Sequence, residues 1–424
     1  MNERIIGKNL VKVDARAKVT GRALYPDDLY FAEMLYVKVK RAVHPHAILR
    51  KLEISRAQQL PGVVKIITAA DYPELNNFGL IIKDQPVLVG IGEKMRYLGD
   101  ALAIVVAESK EAAGQALAQI RVEVEELEVI DDPRRAMEEQ APLLHPDGNI
   151  LCRHQLNKGE LERGLAAADL IIEQEYKTNR VEQLPLQPEA GVCVYDQETG
   201  VLKLWVATQW LHDTQADIAQ ALGIPPERVR IIQPVIGGAF GKREDISVHI
   251  HLALAALATR RPVKLTYTRE ESMITQSKRH PMIIRAKSGA TRDGYLTAWQ
   301  VEIIGDTGAY ASSGPAVVHK GLYHCTGPYN VENVRGIAYT VYTNNTYSGA
   351  MRGFGATQLA FAYESQIDIL AHRLRIDPAR FRYQNAYRPG SSTPNGQVLT
   401  DSVNVRETIK EAVQMSNWPG GVEL

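Results

Sequence analysis

The chain has 424 residues, and its 49 Lys+Arg balance 49 Asp+Glu, so the formal net charge is zero. Hydrophobic residues at 45% and charged residues at 23% are ordinary globular values, which exclude a disordered chain. The lack of a basic excess argues against a nucleic-acid binder, and the length suggests two to four domains with room for buried cores.

The first residues, MNERIIGKNL, lack the apolar stretch of a signal peptide. The longest apolar runs, 101–107 and 252–258, fall far short of the ~20 residues that span a bilayer. A soluble, cytoplasmic protein is expected. Cys152, Cys193 and Cys325 form no CxxC pair, so neither a thiolate zinc site nor an iron–sulfur cluster is held by this chain alone.

In chain order, ALAIVVA (101–107) reads as a buried strand and SKEAAGQALAQ (109–119) as a helix capped by Ser109. IRVEVEEL (120–127) alternates apolar and acidic residues, the pattern of a strand with one wet face. The change of pattern over 131–155, with DDPRR and APLLHPDGN, places a surface linker there. That divides the chain into 1–130, the linker, and 156–424. In the second part, 202–209, 228–236 and 262–269 read as strands and 246–261 as a helix. A similar unit recurs as the strand 336–343, a Gly-rich loop 344–356 and the helix 357–374. In the last helix Leu359, Tyr363, Ile367, Leu370 and Leu374 form one apolar stripe. The fold class expected is α/β (α+β).

Two glycine turns carry the strongest chemical signal: GGAFGKRE (237–244) and MRGFGATQ (351–358). Glycine lets a backbone approach a ligand and adopt positive φ. Free N–H groups on such a turn suit an anion, although two tight turns with no ligand would look the same. A P-loop is excluded, because GxxxxGK(S/T) requires Gly at Ile236 and Ser or Thr at Arg243. His249 and His251, two apart on one helix, point in different directions and offer no metal pair.

The two turns closely resemble the GGGFGGKE and FRGFGxxQ segments of the molybdenum hydroxylases, the xanthine dehydrogenase and aldehyde oxidase family. ATQ (207–209), KRHPM (278–282) and GDTGAY (305–310) agree in order. KVTGRALYPDD (18–28) and RYLGDALAIVVAE (96–108) resemble that family's a/b hammerhead domain. The resemblance implies a hammerhead domain over 1–130 and the first molybdopterin-binding domain over 156–424. The branches it resembles most are bacterial xanthine dehydrogenase and the large molybdopterin subunit of nicotinate dehydrogenase.

It also implies roles. Gln209 would hydrogen-bond an oxo ligand of molybdenum, and Gly238, Ala239, Phe240, Gly241 and Gly353 would face the cofactor. Arg352 and Phe354 would bracket the cofactor and a flat substrate, the cation stabilising developing charge and the ring stacking, and Glu244 and Arg279 would meet the substrate's polar edge. Without the resemblance, Gln209 is equally a sheet-edge amide, Glu244 a helix-dipole partner and Arg279 a surface cation. Ala239 and Lys242 depart from the family's glycines, which would strain the backbone and narrow the cofactor channel if φ were positive there.

The resemblance stops near residue 390, where single-chain relatives continue into a second pterin-binding region. It therefore implies a split site, completed by a second molybdopterin-binding subunit that carries the catalytic glutamate. Iron–sulfur (2Fe-2S) and FAD subunits would take the electrons. The cofactor implied is Mo-molybdopterin, with the cytosine dinucleotide form among the alternatives. A purine of the xanthine or hypoxanthine type is the first expected substrate, and nicotinate the alternative. A non-catalytic assembly subunit that keeps the fold is the rival of another class.

Overall fold

A computed structural model describes residues 6–419, so Met1–Ile5 of the N-terminal stretch and the last five residues lie outside the described part. Two sheets dominate. The first has seven strands, in the spatial order Val229–Ile232, Leu202–Val206, Ala190–Tyr195, Val263–Thr266, Leu35–Arg41, Ala101–Ala107, Val63–Thr68. Every residue of Ala101–Ala107 is buried, as its unbroken apolar run predicts. Ile104 and Val106 join the core beneath the helix His249–Thr259, while Ala103, Val105 and Ala107 meet the helix Lys110–Gln119. Ser109 caps that second helix by accepting the Ala112 N–H at 3.0 Å.

The second sheet runs Ile150–Lys158, Asn333–Tyr342, Leu296–Gly308, Met282–Ala290, Leu170–Lys177. It packs on the helices Gly314–Tyr323 and Ala356–Leu374 through a core that includes Trp299, Leu322, Leu359 and Ile367. Of the expected stripe on Ala356–Leu374, Leu359, Ile367 and Leu370 are buried, and Tyr363 and Leu374 half-buried. A three-stranded sheet, Lys94–Met95, Ala47–Glu53, Arg121–Glu126, completes the N-terminal part. Among the described residues no helix is long and apolar enough to cross a membrane.

The structure qualifies three expectations. The seven-stranded sheet crosses the boundary placed at 131–155, because Leu35–Arg41 pairs in parallel with Val263–Thr266. The stretch 131–155 is also no free linker. Ile130 and Ala136 are buried against Ile304 and Val341, and the edge strand of the second sheet already begins at Ile150. The strand expected over 228–236 is only Val229–Ile232. Pro234, which has no N–H to give a ladder, lies in the part that leaves the sheet.

This topology sets the site. The strand Leu202–Val206 delivers Gln209 at its C-terminal end, and the segment after Val229–Ile232 supplies the first glycine turn. The two-residue strands Lys278–Arg279 and Ser348–Gly349 pair in parallel and bring the second turn beside it.

Candidate cofactor-binding and active site

The two glycine turns are hydrogen-bonded to each other. The Arg352 N–H donates to the Phe240 carbonyl at 2.9 Å. A Cβ on Gly241 would come within 2.6 Å of the Ala350 oxygen and 2.9 Å of the Met351 Cα, so only glycine permits this approach. Both turns place a phenylalanine in the left-handed region between left-handed glycines. Phe240 has φ +58 between Gly238 (+102) and Gly241 (+104), one residue removed, and Phe354 has φ +48 between Gly353 (+99) and Gly355 (+93). A non-glycine residue there costs about 1–2 kcal/mol. Ala239 and Lys242, where strain was anticipated, do not have positive φ.

Gln209 anchors the first turn. Its Oε1 accepts the N–H groups of Gly241 at 3.1 Å and Arg243 at 3.3 Å, and its own N–H donates to the Arg243 carbonyl at 2.9 Å. That leaves the amide Nε2 for other acceptors, one being Glu244 Oε1 at 3.4 Å. Among the described residues the N–H groups of Gly238, Ala239 and Phe240 have no protein acceptor. Three consecutive free donors on a backbone that alternates in hand form a concave anion cradle. This fits an anionic cofactor edge.

Glu244 stands at the end of a short 3-10 turn, Lys242–Glu244, rather than at the start of an α-helix, so the dipole reading fails. Its Oε2 is buried without a partner. Burial, and secondarily the neighbouring Asp245, push its carboxyl up to about 7. Arg352 is exposed, and its guanidinium donates to no protein group among the described residues. Phe354 is half-buried and, with Trp210, Leu80 and Lys83, lines a cavity of about 300 Å³, enough for a small aromatic ring.

Arg279 is turned inward. Its Nη2 donates to the Arg352 carbonyl at 2.8 Å, and its Nη1 to Thr357 Oγ1 at 2.6 Å and Gln358 Oε1 at 3.3 Å. These bonds make it a brace for the second turn, and neither a surface cation nor a group aimed wholly at substrate.

The sequence reading missed the segment Glu182–Gln187 beneath both turns. Gln183 Nε2 donates to the Ala350 carbonyl at 2.8 Å, and Gln187 Oε1 accepts the Gly237 N–H at 2.7 Å. Glu182 forms ion pairs with Lys242 and, at 2.6 Å, with Lys278. Lys242 is fully buried and points away from the cradle toward these carboxylates. Nothing in EQLPLQ, a polar run around a proline, signals this role.

A cradle of free backbone donors, an amide at a strand end, a carboxyl of raised pKa and a cavity beside Phe354 together make a candidate site for an anionic cofactor. Two family models match: the molybdopterin cofactor-binding domain over residues 144–386, and the aldehyde oxidase and xanthine dehydrogenase a/b hammerhead domain over 20–128. The chain belongs to the molybdenum hydroxylase (xanthine dehydrogenase/aldehyde oxidase) family, as a molybdopterin-binding member with a hammerhead domain followed by the first molybdopterin-binding domain.

It is 44% identical to the nicotinate dehydrogenase large molybdopterin subunit of Eubacterium barkeri over 409 residues, 96% of each chain. It is 41% identical to a probable xanthine dehydrogenase subunit of Bacillus subtilis over 384 residues, 91% of this chain and 51% of that protein. The solved aldehyde oxidoreductase from Desulfovibrio desulfuricans superposes with a TM-score of 0.92 at 28% identity, covering 98% of this chain and 47% of that one. The chain thus spans nearly all of the first relative and about half the length of the other two.

Proposed function

We propose that this chain is one half of a two-chain site that hydroxylates an N-heteroaromatic ring. Gln209, the backbone of Gly238, Ala239, Phe240 and Gly241, and the Arg352–Gly353 turn would hold Mo-molybdopterin. Glu244, Phe354 and the loop braced by Arg279 would hold the substrate. Bound there, the molybdenum centre would supply the two-electron oxidation of a ring carbon beside nitrogen. A second molybdopterin-binding chain would complete the site and carry the general base, and iron–sulfur and FAD subunits would accept the electrons. The match over 96% of both chains to a relative named a large molybdopterin subunit supports this division.

The observation that carries the reading is the Arg352–Phe240 hydrogen bond. It joins the free N–H groups, Gln209, Glu244, Arg352 and Phe354 into one rigid unit, so cofactor and substrate contacts share a scaffold. Within this chain, Phe354 offers a stacking face, Arg352 a cation for an anionic edge, and Glu244 Oε2 a site where a proton can be held. The assembly-subunit reading loses its support. It rested on Ala239 and Lys242, and neither strains the backbone nor fills the cradle.

For the substrate, a fully ionised Glu244 would repel a carboxylate and favour a purine. A carboxyl of pKa about 7 is substantially neutral near pH 7 and can donate a hydrogen bond, which weakens that objection. Together with the end-to-end match to a nicotinate dehydrogenase subunit, this favours a pyridine carboxylate, with purines as the second reading. The test is kcat/KM of the co-expressed complex for nicotinate, hypoxanthine and xanthine, using an artificial electron acceptor. Nicotinate is expected to lead by tenfold or more, about 1.4 kcal/mol in transition-state binding. Purines leading by that margin overturn the order, and a complex without molybdenum overturns the function.

A further inference from the structure

Behind Glu244 lie acidic groups for which neither cofactor nor substrate binding has a use. Asp245 is only 8% exposed. Its Oδ1 accepts the Ser312 hydroxyl at 2.5 Å, and its buried Oδ2 lies beside the Ser277 hydroxyl. Asp84, contributed by the N-terminal domain, accepts the N–H of Ala311, the residue before Ser312, at 2.8 Å. The same Oδ2 accepts the Tyr342 hydroxyl at 2.8 Å, while Oδ1 is unpartnered. Glu244 Oε2 and Asp84 Oδ1 are thus left without donors.

Glu244, Asp245, Ser312 and Asp84 all line one small cavity with room for roughly one water molecule. Asp84 also lines a second, wider cavity of about 660 Å³ that opens on solvent, where the His145 ring stacks on Tyr342 at 3.9 Å. Purely structural buried carboxylates are satisfied by donors or cations. These line one small cavity, and Asp84 stands between it and the wider one.

We propose that Glu244, Asp245, Ser312 and Asp84 form a proton exit from the candidate active site to the cavity beside His145 and Tyr342. The inference rests on the proposed hydroxylation. Replacing a ring C–H by C–OH with oxygen from water releases two protons and two electrons. The electrons pass to the iron–sulfur and flavin acceptors, and the protons need a route of their own. A proton taken up on Glu244 passes across the small cavity to Asp245, with the Ser312 hydroxyl beside it, and leaves from Asp84 on the outer wall.

Burial is the main cause holding all three carboxyls high, Glu244 at about 7 and Asp245 and Asp84 at about 6, so no transfer along the chain is steeply uphill. The other titratable groups around them leave the path open. Asp217 is tied to Lys83, Tyr310 donates to Asp100, Tyr347 stays a neutral phenol through burial, and Arg96 lines the outer cavity.

Two measurements decide it. Infrared titration of the full chain alone should show a protonated-carboxyl stretch near pH 6 that shifts in D2O and shrinks in both Asp245→Asn and Asp84→Asn. In the complex, Asp84→Asn should lower kcat roughly tenfold or more, leave the substrate KM unchanged, enlarge the solvent deuterium isotope effect, and be partly rescued by added imidazole. Ser312→Ala should move the same readouts in the same direction. Wild-type infrared spectra without the band, or kcat and isotope effects at wild-type values in both Asn variants, overturn the exit. A complex that hydroxylates no N-heterocycle refutes the proposed function, while the infrared arm still decides whether these carboxyls hold a shared proton.

Discussion

Removing Glu182 should damage this protein far more than removing Lys242, although the two form one ion pair. Both lie in a buried network with three cations, Lys242, Arg243 and Lys278, and two anions, Glu182 and Glu189. Glu182 serves Lys242 and Lys278 at once, and Arg243 meets Glu189 at 2.7 Å. Glu182→Gln leaves two buried ammonium groups sharing only Glu189, which lies 3.7 Å from Lys242. Stranding a buried charge in this way costs about 3–5 kcal/mol. Lys242→Met instead leaves Glu182 with Lys278 and Glu189 with Arg243, and removes the surplus cation. Its main loss is the hydrogen bond to Ser272 Oγ at 3.0 Å, on the order of 1 kcal/mol. At roughly 2 °C per kcal/mol, the Tm should fall by about 6–10 °C for Glu182→Gln and about 2 °C for Lys242→Met. The double variant should recover part of the larger loss, because one stranded cation is gone. Equal shifts, or a larger one for Lys242→Met, would refute the argument from shared counter-charge.

Other expectations follow from the same geometry. Because Glu244 is held at about 7 when folded, against an ordinary value of 4.5, the folded state binds a proton that the unfolded state has lost. Stability should therefore fall as pH rises between those values. In Glu244→Gln this part of the stability–pH slope should be missing, a difference on the order of 1–3 kcal/mol after solvent screening; parallel wild-type and variant curves would contradict it. Arg279→Ala should speed amide exchange over 352–358 and lower kcat/KM, and Arg279→Lys should not rescue either, since a single ammonium cannot reproduce the planar fork. The chain expressed alone should retain no stoichiometric molybdenum after gel filtration. Retention would show that the cradle is complete in one chain.

How much of this was legible before the structure depended on the range of the interaction. The buried strand 101–107, the Ser109 cap and the helix Ala356–Leu374 rest on local periodicity and capping, and the chain wrote them plainly. The glycine turns were visible as motifs, but their contact was not, because Arg352 and Phe240 meet only through the backbone. The sheet that crosses the expected boundary was hidden for a related reason. Parallel pairing of Leu35–Arg41 with Val263–Thr266 carries no local signature, and each strand alone fits either domain.

Lys242 shows the same limit from the side of charge. A lysine where the motif that 237–244 resembles has glycine breaks a local rule, and it leads to the expectation of a strained backbone and a narrowed channel. The structure supplies a different account. The backbone at 242 needs no positive φ, so a side chain costs nothing there, and Glu182, 60 residues upstream, receives the ammonium beneath the turn. A lysine buried among carboxylates looks in sequence like any surface lysine, since its counter-charges are set by the fold rather than by spacing. The departure therefore adds an ion pair under the candidate anion cradle and leaves the cradle's own face, the N–H groups of Gly238 to Phe240, free.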